Sequence, residues 1–264
     1  MLVSVIIPAY NASKHLGFAI ESVLMQSYSD LEIIIIDDGS TDSTLDIAMQ
    51  YCKLDKRFYV LQHDNGANKG VSATRNLGIK RSRGEYIALL DADDLWHKTK
   101  IEKQLRVFDE NRNVQLVYSQ LETLFETDLN YAFPSICGSG SEGIQLGIFT
   151  EMVNDQIWIP NSSVIFRREI LDRVGFFKEG LKYQVEDHLF FTKTTYFFTT
   201  FYLREITGTY RIHSGSYTAN NKWQKSFYEF LVELIKDRDI RNKGIIFNAL
   251  IVRLKKDLLK CLSV

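Results

Sequence analysis

What constrains this chain most is an order repeated through its first 110 residues: a short β-type run, a polar turn, then apolar residues at helical spacing. Val3-Ser4-Val5-Ile6-Ile7 reads as a strand, and Leu16, Ile20, Val23 and Leu24 follow at the i, i+4, i+7, i+8 spacing of one helix face. Glu32 to Ile36 is a continuous apolar run of the kind found in strands buried on both faces, and Leu45, Ala48, Met49 and Cys52 form the next helical stripe. Phe58 to Leu61 predicts a third strand, Val71 to Arg81 a helix, Tyr86 to Leu90 a fourth strand, and Ile101, Leu105 and Phe108 a further amphipathic helix. Strand, helix, strand in succession builds right-handed crossovers, so the expected class is α/β with a mainly parallel sheet.

Beyond this region the pattern changes. From Glu126 to Trp158 periodicity fades, and Gly138 to Gly143 reads as a loop of the kind that forms lids or recognition surfaces. Ser163 to Phe166 and the aromatic run Tyr196 to Tyr202 read as strands, with a helical segment at Arg168 to Val174. Lys222 to Val264 reads as helical, with Gly244 as the expected break between two helices. From Arg241 onward six basic residues (Arg241, Lys243, Arg253, Lys255, Lys256, Lys260) stand against one acid, Asp257. Such an end either lies on an anionic membrane surface or packs on the main body with its charges in solvent.

Over all 264 residues, 32 Lys+Arg nearly cancel 33 Asp+Glu, which excludes a protein built to grip nucleic-acid backbone over a wide surface. Cys52, Cys137 and Cys261 are widely spaced with no paired motif, so free thiols in a reducing compartment are expected. No charged leader and apolar h-region precede Val3, and no apolar run reaches the roughly 18 residues of a membrane span. The expectation is a cytoplasmic protein.

In open α/β sheets ligands bind beyond the carboxyl ends of the strands. The segments there are Pro8-Ala9-Tyr10-Asn11, Asp37-Asp38-Gly39-Ser40 and Asp91-Ala92-Asp93-Asp94. There is no GxGxxG after the first strand and no GxxxxGK[ST], so neither glycine-rich phosphate cradle is present. The acids suggest another way to neutralise phosphate: carboxylate oxygens suit Mg²⁺ or Mn²⁺, which leave positions open for substrate phosphates. An acid cluster that only complements the dipole of the following helix is the plainer alternative.

Together, Val5-Ile6-Ile7-Pro8-Ala9-Tyr10-Asn11, Ile36-Asp37-Asp38-Gly39-Ser40-Thr41-Asp42, Asn68 to Gly78 and Gly84-Glu85-Tyr86 leading to Asp91-Ala92-Asp93-Asp94 resemble glycosyltransferase family 2, in that order along the chain. The resemblance implies the GT-A fold, a Rossmann-like sheet flanked by helices, with a C-terminal helical extension. It places Pro8, Ala9 and Tyr10 along the base and ribose of a nucleotide-sugar donor, with Asp38 on the base and Asp91, next to Ala92, on the ribose. Asp93 would hold the divalent cation that bridges the diphosphate. Asn68, Gly70 and Arg75 match the segment lining the donor, although Arg75 also suits a structural role in its helix. Gln184-Val185-Glu186-Asp187-His188 resembles the family's E-D motif, in which the residue matching Asp187 is the catalytic base; both acids also suit a helix N-terminus. Tyr210-Arg211-Ile212-His213-Ser214-Gly215-Ser216 resembles a further segment, in which Arg211 would stabilise the leaving diphosphate and His213 either ligates the metal or is simply packed. Trp158, Asn161 and Glu186 stand where an acceptor would bind, and Trp158 and Trp96 read equally well as hydrophobic plugs.

The resemblance implies an inverting, metal-dependent transferase moving a sugar from a nucleotide-diphosphate sugar, UDP-linked most often in the family, to a saccharide or lipid-linked hydroxyl. Bacterial surface polysaccharide synthesis is the expected setting, at the inner face of the plasma membrane if the basic end binds lipid. The expected organisation is a transferase domain over residues 1–218, with a donor half (1–120) and an acceptor half (121–218), followed by a helical extension over 219–264. A sugar-phosphate nucleotidyltransferase and a non-catalytic nucleotide-sugar-binding module are the rival readings.

Overall fold

Strands that are apolar along most of their length, as Val3–Ala9 and Leu31–Asp37 are, need a partner layer on both faces, and the fold supplies one on each. The computed structural model describes residues 1–127, 132–182, 185–216, 219 and 223–262, with the backbone alone for 223–225 and 256–262. Gln184 and the side chains of Lys256, Lys260 and Cys261 lie outside the described residues. The first half runs β1 (Val3–Ala9), α1 (Leu16–Leu24), β2 (Leu31–Asp37), α2 (Thr44–Leu54), β3 (Phe58–Gln62), α3 (Val71–Arg81), β4 (Tyr86–Leu89), β5 (Leu95–Trp96) and α4 (Lys100–Glu110). The second half runs β6 (Val114–Phe125), β7 (Ile136–Cys137), β8 (Gly143–Gln145), α5 (Phe149–Val153), β9 (Ile165–Arg167), α6 (Leu171–Val174), α7 (Glu186–Phe197), β10 (Thr199–Ile212), α8 (Trp223–Lys236) and α9 (Lys243–Leu262).

The sheet order is β3-β2-β1-β4-β9-β6-β10-β5, with β7 on β6 and β8 on β10. β1 to β4 are parallel, as are β6 and β10, while short antiparallel pairings at β9, β5, β7 and β8 join and edge the two halves. Along β1 and β2, Val5, Ile7, Ile33 and Ile35 face the core with α1, α2 and α4, whereas Ile6, Ile34 and Ile36 face the core with α3 and α7. That two-sided burial is why these strands lack polar alternation.

Four sequence expectations change. β6 has no counterpart in the sequence reading, yet it is a central strand of 12 residues. Between Glu126 and Trp158, two short strands and a five-residue helix stand where only a loop is expected. Tyr196 and Phe197 end α7 rather than open a strand, because the helix carries their rings against Phe149 and each other; β10 begins at Thr199. Gly244 lies in the first turn of α9, and the break between the last helices falls at residues 237–242. Cys52 and Cys137 are unpaired, and burial pushes the Cys137 thiol up to about 12, which makes it inert at neutral pH.

Two devices bring the strand ends together. Gly39 has φ +74°, and a Cβ there would stand 2.5 Å from the Gly66 carbonyl oxygen, so only glycine lets the turn after β2 approach the loop after β3 this closely. β10 shifts register against β6 between Leu203 and Ile206 and again between Ile206 and Thr209, and β5 pairs with it at Gly208 and Thr209. Such irregularities bend a strand and re-aim its end. Here they bring Arg211 and His213 to the loop that carries Asp91, Asp93 and Asp94.

Candidate active site

The turn after β1 is latched to the turn after β2. Asn11 accepts the Thr41 amide at 2.8 Å and donates its own amide to Ser40 Oγ at 3.0 Å, and the amides of Ala12 and Ser13 donate to Thr44 Oγ1 and Asp42. Asp42, exposed, also accepts the Thr44 amide at the start of α2; partial desolvation works against its charge, but the hydrogen bonds from Thr44 and Ser13 hold its carboxyl at about 2. Pro8 and Ala9 are buried in β1, while Tyr10 is 53% exposed at the mouth. Asp38 is buried, and its two oxygens accept the Lys69 and Gly70 amides at 2.7 and 3.0 Å, so it holds the entry to α3, with exposed Asn68 beside it.

Arg75, on α3, is the buried hub. Its Nη1 donates to Glu186 Oε1 at 2.6 Å and its Nη2 to Asp91 Oδ1 at 2.8 Å, with the Phe177 ring 5.6 Å from the guanidinium carbon. Burial opposes its charge, but Asp91, Glu186 and Asp187 more than compensate and raise its proton affinity. It ties the first half of the chain to the start of α7, which is the structural one of its two expected roles.

Glu186 and Asp187 form the first turn of α7. Glu186 is buried, and burial, with Asp187 adding and Arg75 opposing, lifts its carboxyl to about 7. Asp187 is half-buried and accepts the His188 amide at 2.6 Å; desolvation raises its carboxyl against the pull of Arg75. Asn161, also buried, donates from Nδ2 to Asp91 Oδ1 at 2.9 Å. Asn161 Nδ2 and Glu186 Oε1 are thus engaged by Asp91 and Arg75. Beside Asp91 two buried polar atoms, Arg75 Nε and Asn161 Oδ1, have no partner among the described residues.

On the other side of the acid loop, Ala92 and Asp94 are buried and Asp91 and Asp93 are half-buried. Burial, with Asp93 and Asp91 adding, pushes the Asp94 carboxyl well up; it accepts Ser162 Oγ at 2.5 Å and the Arg211 amide at 2.9 Å. Ser162 Oγ also accepts the Asp91 amide, and Trp96, the buried plug, donates its indole N–H to the Ser162 carbonyl at 2.7 Å. His213 Nε2 lies 3.2 Å from Asp93 Oδ2, and that hydrogen bond raises its proton affinity against burial. Arg211 is buried; it donates Nε to the Asp93 carbonyl at 2.8 Å and pairs with Glu126. Glu126 and His15 belong to no motif singled out in the sequence, and their signal is purely spatial. Trp158 is half-buried in an aromatic group, its ring centroid 5.7 Å from Phe133 and 5.9 Å from Tyr210.

Among the described residues no three His, Cys, Asp or Glu side chains cluster to hold a metal alone. A half-buried carboxylate meeting an imidazole at 3.2 Å nonetheless fits a cation that takes its other ligands from a diphosphate. Asp93 and His213 are the pair that would hold it.

A parallel half-sheet with acids beyond its strand ends, joined through short antiparallel strands to a second half that returns Arg211 and His213 to them, defines a GT-A glycosyltransferase fold. S. aureus TarS, over its residues 1–349, has the same fold: TM-score 0.71 at 21% identity, covering 96% of this chain and 71% of that one. The mannosyltransferase PcManGT of Pyrobaculum calidifontis, in complex with GDP-Man and Mn²⁺, gives a TM-score of 0.67 at 16% identity over 93% of this chain and 68% of that one. The family described as Glycosyl transferase family 2 matches residues 4–175, and the chain belongs to that family. A putative teichuronic acid biosynthesis glycosyltransferase of Bacillus subtilis, TuaG, is 32% identical over 84% of this chain and 83% of its own length. An uncharacterized glycosyltransferase of Rickettsia felis is 51% identical over 41% of this chain, which spans only 17% of that relative.

Proposed function

We propose that the chain transfers a sugar, with inversion, from a nucleoside-diphosphate sugar to a hydroxyl of a saccharide or lipid-linked acceptor, using Mn²⁺ or Mg²⁺. The carrying observation is Asp187: half-exposed, raised in proton affinity by burial, and set beside the acid loop by the Arg75 bridge. Its carboxylate takes the proton of the acceptor hydroxyl as that oxygen attacks the anomeric carbon, a task matched by a base whose pKa is lifted toward neutrality. One such base suffices for a single displacement, which inverts the anomeric centre. The cation, when bound at Asp93 and His213, supplies positive charge to the leaving diphosphate. Arg211, fixed between Asp93 and Glu126, adds to the positive field there. Tyr10, with Pro8 and Ala9 behind it, walls the base and ribose. Asp38 shapes that wall through the Lys69 and Gly70 amides, next to Asn68, and Asp91 offers its carboxylate to the ribose. Trp158 and its aromatic neighbours offer the acceptor sugar a stacking face.

UDP is the favoured nucleotide, since a TarS structure is in complex with UDP-GlcNAc, and TuaG points to surface polysaccharide assembly. The transferase domain is taken as residues 1–218, with 1–120 serving the donor and 121–218 the acceptor, and 219–264 as a helical extension. In calorimetry, UDP binding is expected to strengthen with Mn²⁺, and Asp93→Ala should lose that gain by at least 10-fold. In a screen of donors, release of nucleoside diphosphate supports transfer. Pyrophosphate release would favour nucleotidyl transfer, and binding without turnover a non-catalytic module.

The extension bears on location. No described helix is long and apolar enough to cross a membrane. α9 packs Ile246 and Ala249 inward and leaves Phe247, Ile251 and Leu254 exposed at i, i+4, i+7 spacing beside exposed Lys255. That outward face, at the basic end of the chain, suits an anionic lipid surface at the inner face of the plasma membrane. Sedimentation with phosphatidylglycerol vesicles but not phosphatidylcholine ones is expected, reduced by Phe247→Ser with Lys255→Glu; equal sedimentation with both vesicle types would count against it.

A further inference from the structure

Glu126 lies just past the end of β6, in none of the matched motifs, and touches three segments of the site. Its amide donates to the Ile212 carbonyl at 2.8 Å. One carboxylate oxygen pairs with Arg211 Nη1; the other lies 3.1 Å from His15 Nε2, in the turn before α1. The His15 ring lies 4.7 Å, centroid to centroid, from that of His213 and is tilted 35° to it. At its edges His213 meets Asp93 through Nε2 and the Gly215 amide through Nδ1, the latter at 3.1 Å.

An exposed ion pair ordinarily contributes little. This one differs because Arg211 is only 8% exposed and carries the Asp93 backbone on its Nε, so removing Glu126 frees a buried guanidinium as well as the His15 ring. Burial would lift the Glu126 carboxyl, but Arg211 and His15 overcome it and hold the carboxyl below its ordinary value, so it is an anion at neutral pH. We propose that Glu126, acting through His15 and Arg211, is a positioning residue that fixes the Asp93 and His213 pair in the orientation a divalent cation requires. The inference rests on reading that pair as the cation's ligands. Groups that orient metal ligands typically account for about 10–100-fold in metal affinity.

The test is titration calorimetry of UDP (GDP should UDP not bind the wild type), with Mn²⁺ and with EDTA, on the wild type, Glu126→Gln, His15→Ala and the double variant. The wild-type gain in affinity on adding Mn²⁺ is expected to fall about 10–100-fold in each single variant. The double variant should be no worse than the weaker single, because the two residues act in one linkage. Affinity in EDTA should stay near wild type even where the thermal midpoint falls because Arg211 has lost a partner, and Glu205→Gln, in an exposed pair with Lys103, should keep the full gain. A full Mn²⁺ gain in Glu126→Gln overturns the proposal, as do losses that multiply in the double variant. An equal loss in EDTA would make Glu126 a general brace and overturn it too. A wild type with no Mn²⁺ gain refutes the cation reading itself, a result distinct from any of these.

Discussion

Asp187→Asn is expected to lower kcat about 10²–10⁴-fold, the range a positioned general base supplies, while donor affinity changes little. The amide keeps the side chain's size and its acceptor oxygen for the His188 amide, so the helix start survives and only the proton acceptor is lost. The pH profile should carry the same information. Because burial raises the Asp187 carboxyl, kcat should fall as pH drops through a pKa above the ordinary carboxylate value. That acid limb should vanish from the residual activity of the Asn variant. Glu186, one residue away, does not compete for the role: it is buried on Arg75, whereas Asp187 is half-exposed. Steady-state assays of nucleoside-diphosphate release from pH 5 to 9 provide the check. An Asn variant that keeps the wild-type kcat would remove Asp187 from the chemistry.

Much of the first half of the chain is legible in the sequence because each of its signals is local. Val71 to Arg81 is a helix from the first residue to the last expected, and the strands at Val3, Glu32, Phe58 and Tyr86 fall within a residue or so of their observed starts. Those segments are short and bounded by Gly, Asp and Ser, so propensity and period agree. β6 escapes because its burial changes along its length: Val114 to Ser119 is closed in by β9 and β10 on either side, while Glu122, Leu124 and Phe125 face solvent, so no single period spans it. Tyr196 and Phe197 mislead because β-type aromatics at a helix end are overruled by packing, Tyr196 against Phe149 and Phe197 against Tyr196.

The site divides in the same way. Asp93 and His213 meet across 120 residues and Arg75 and Glu186 across 111, and motif resemblance alone brought these residues into one frame. It could not indicate that Asn161 and Glu186 turn inward, since that depends on which carboxylate stands opposite Arg75. Nor could it reach Glu126, whose neighbourhood is set by the register shifts in β10. Residues that contact a ligand recur in recognisable motifs, whereas residues that hold them in place answer to local topology.

Arg75 carries the largest structural expectation. Its guanidinium is buried between two carboxylates, with Asp187 close enough to bear on its charge. Removing one partner of a buried ion pair leaves uncompensated charge and typically costs about 3–5 kcal/mol. Arg75→Met should therefore unfold at markedly lower urea, with a deficit of that order at pH 8. The dependence on pH separates charge from packing. Glu186 is already raised to about 7, so the native state holds its proton more tightly than the unfolded chain, and wild-type stability declines as pH rises from the unfolded carboxyl value to about 7. Without Arg75, the opposing pull on both Glu186 and Asp187 is lost and their native-state proton affinities rise further. The variant's decline should then be steeper and extend to higher pH, so its deficit is small near pH 5 and greatest near pH 8. Arg75→Lys should recover only part of it, because one ammonium cannot reproduce a planar fork reaching Asp91 and Glu186 from separate nitrogens. A deficit of equal size at pH 5 and pH 8 would instead assign the loss to packing against Phe177 and undo the electrostatic account of the bridge.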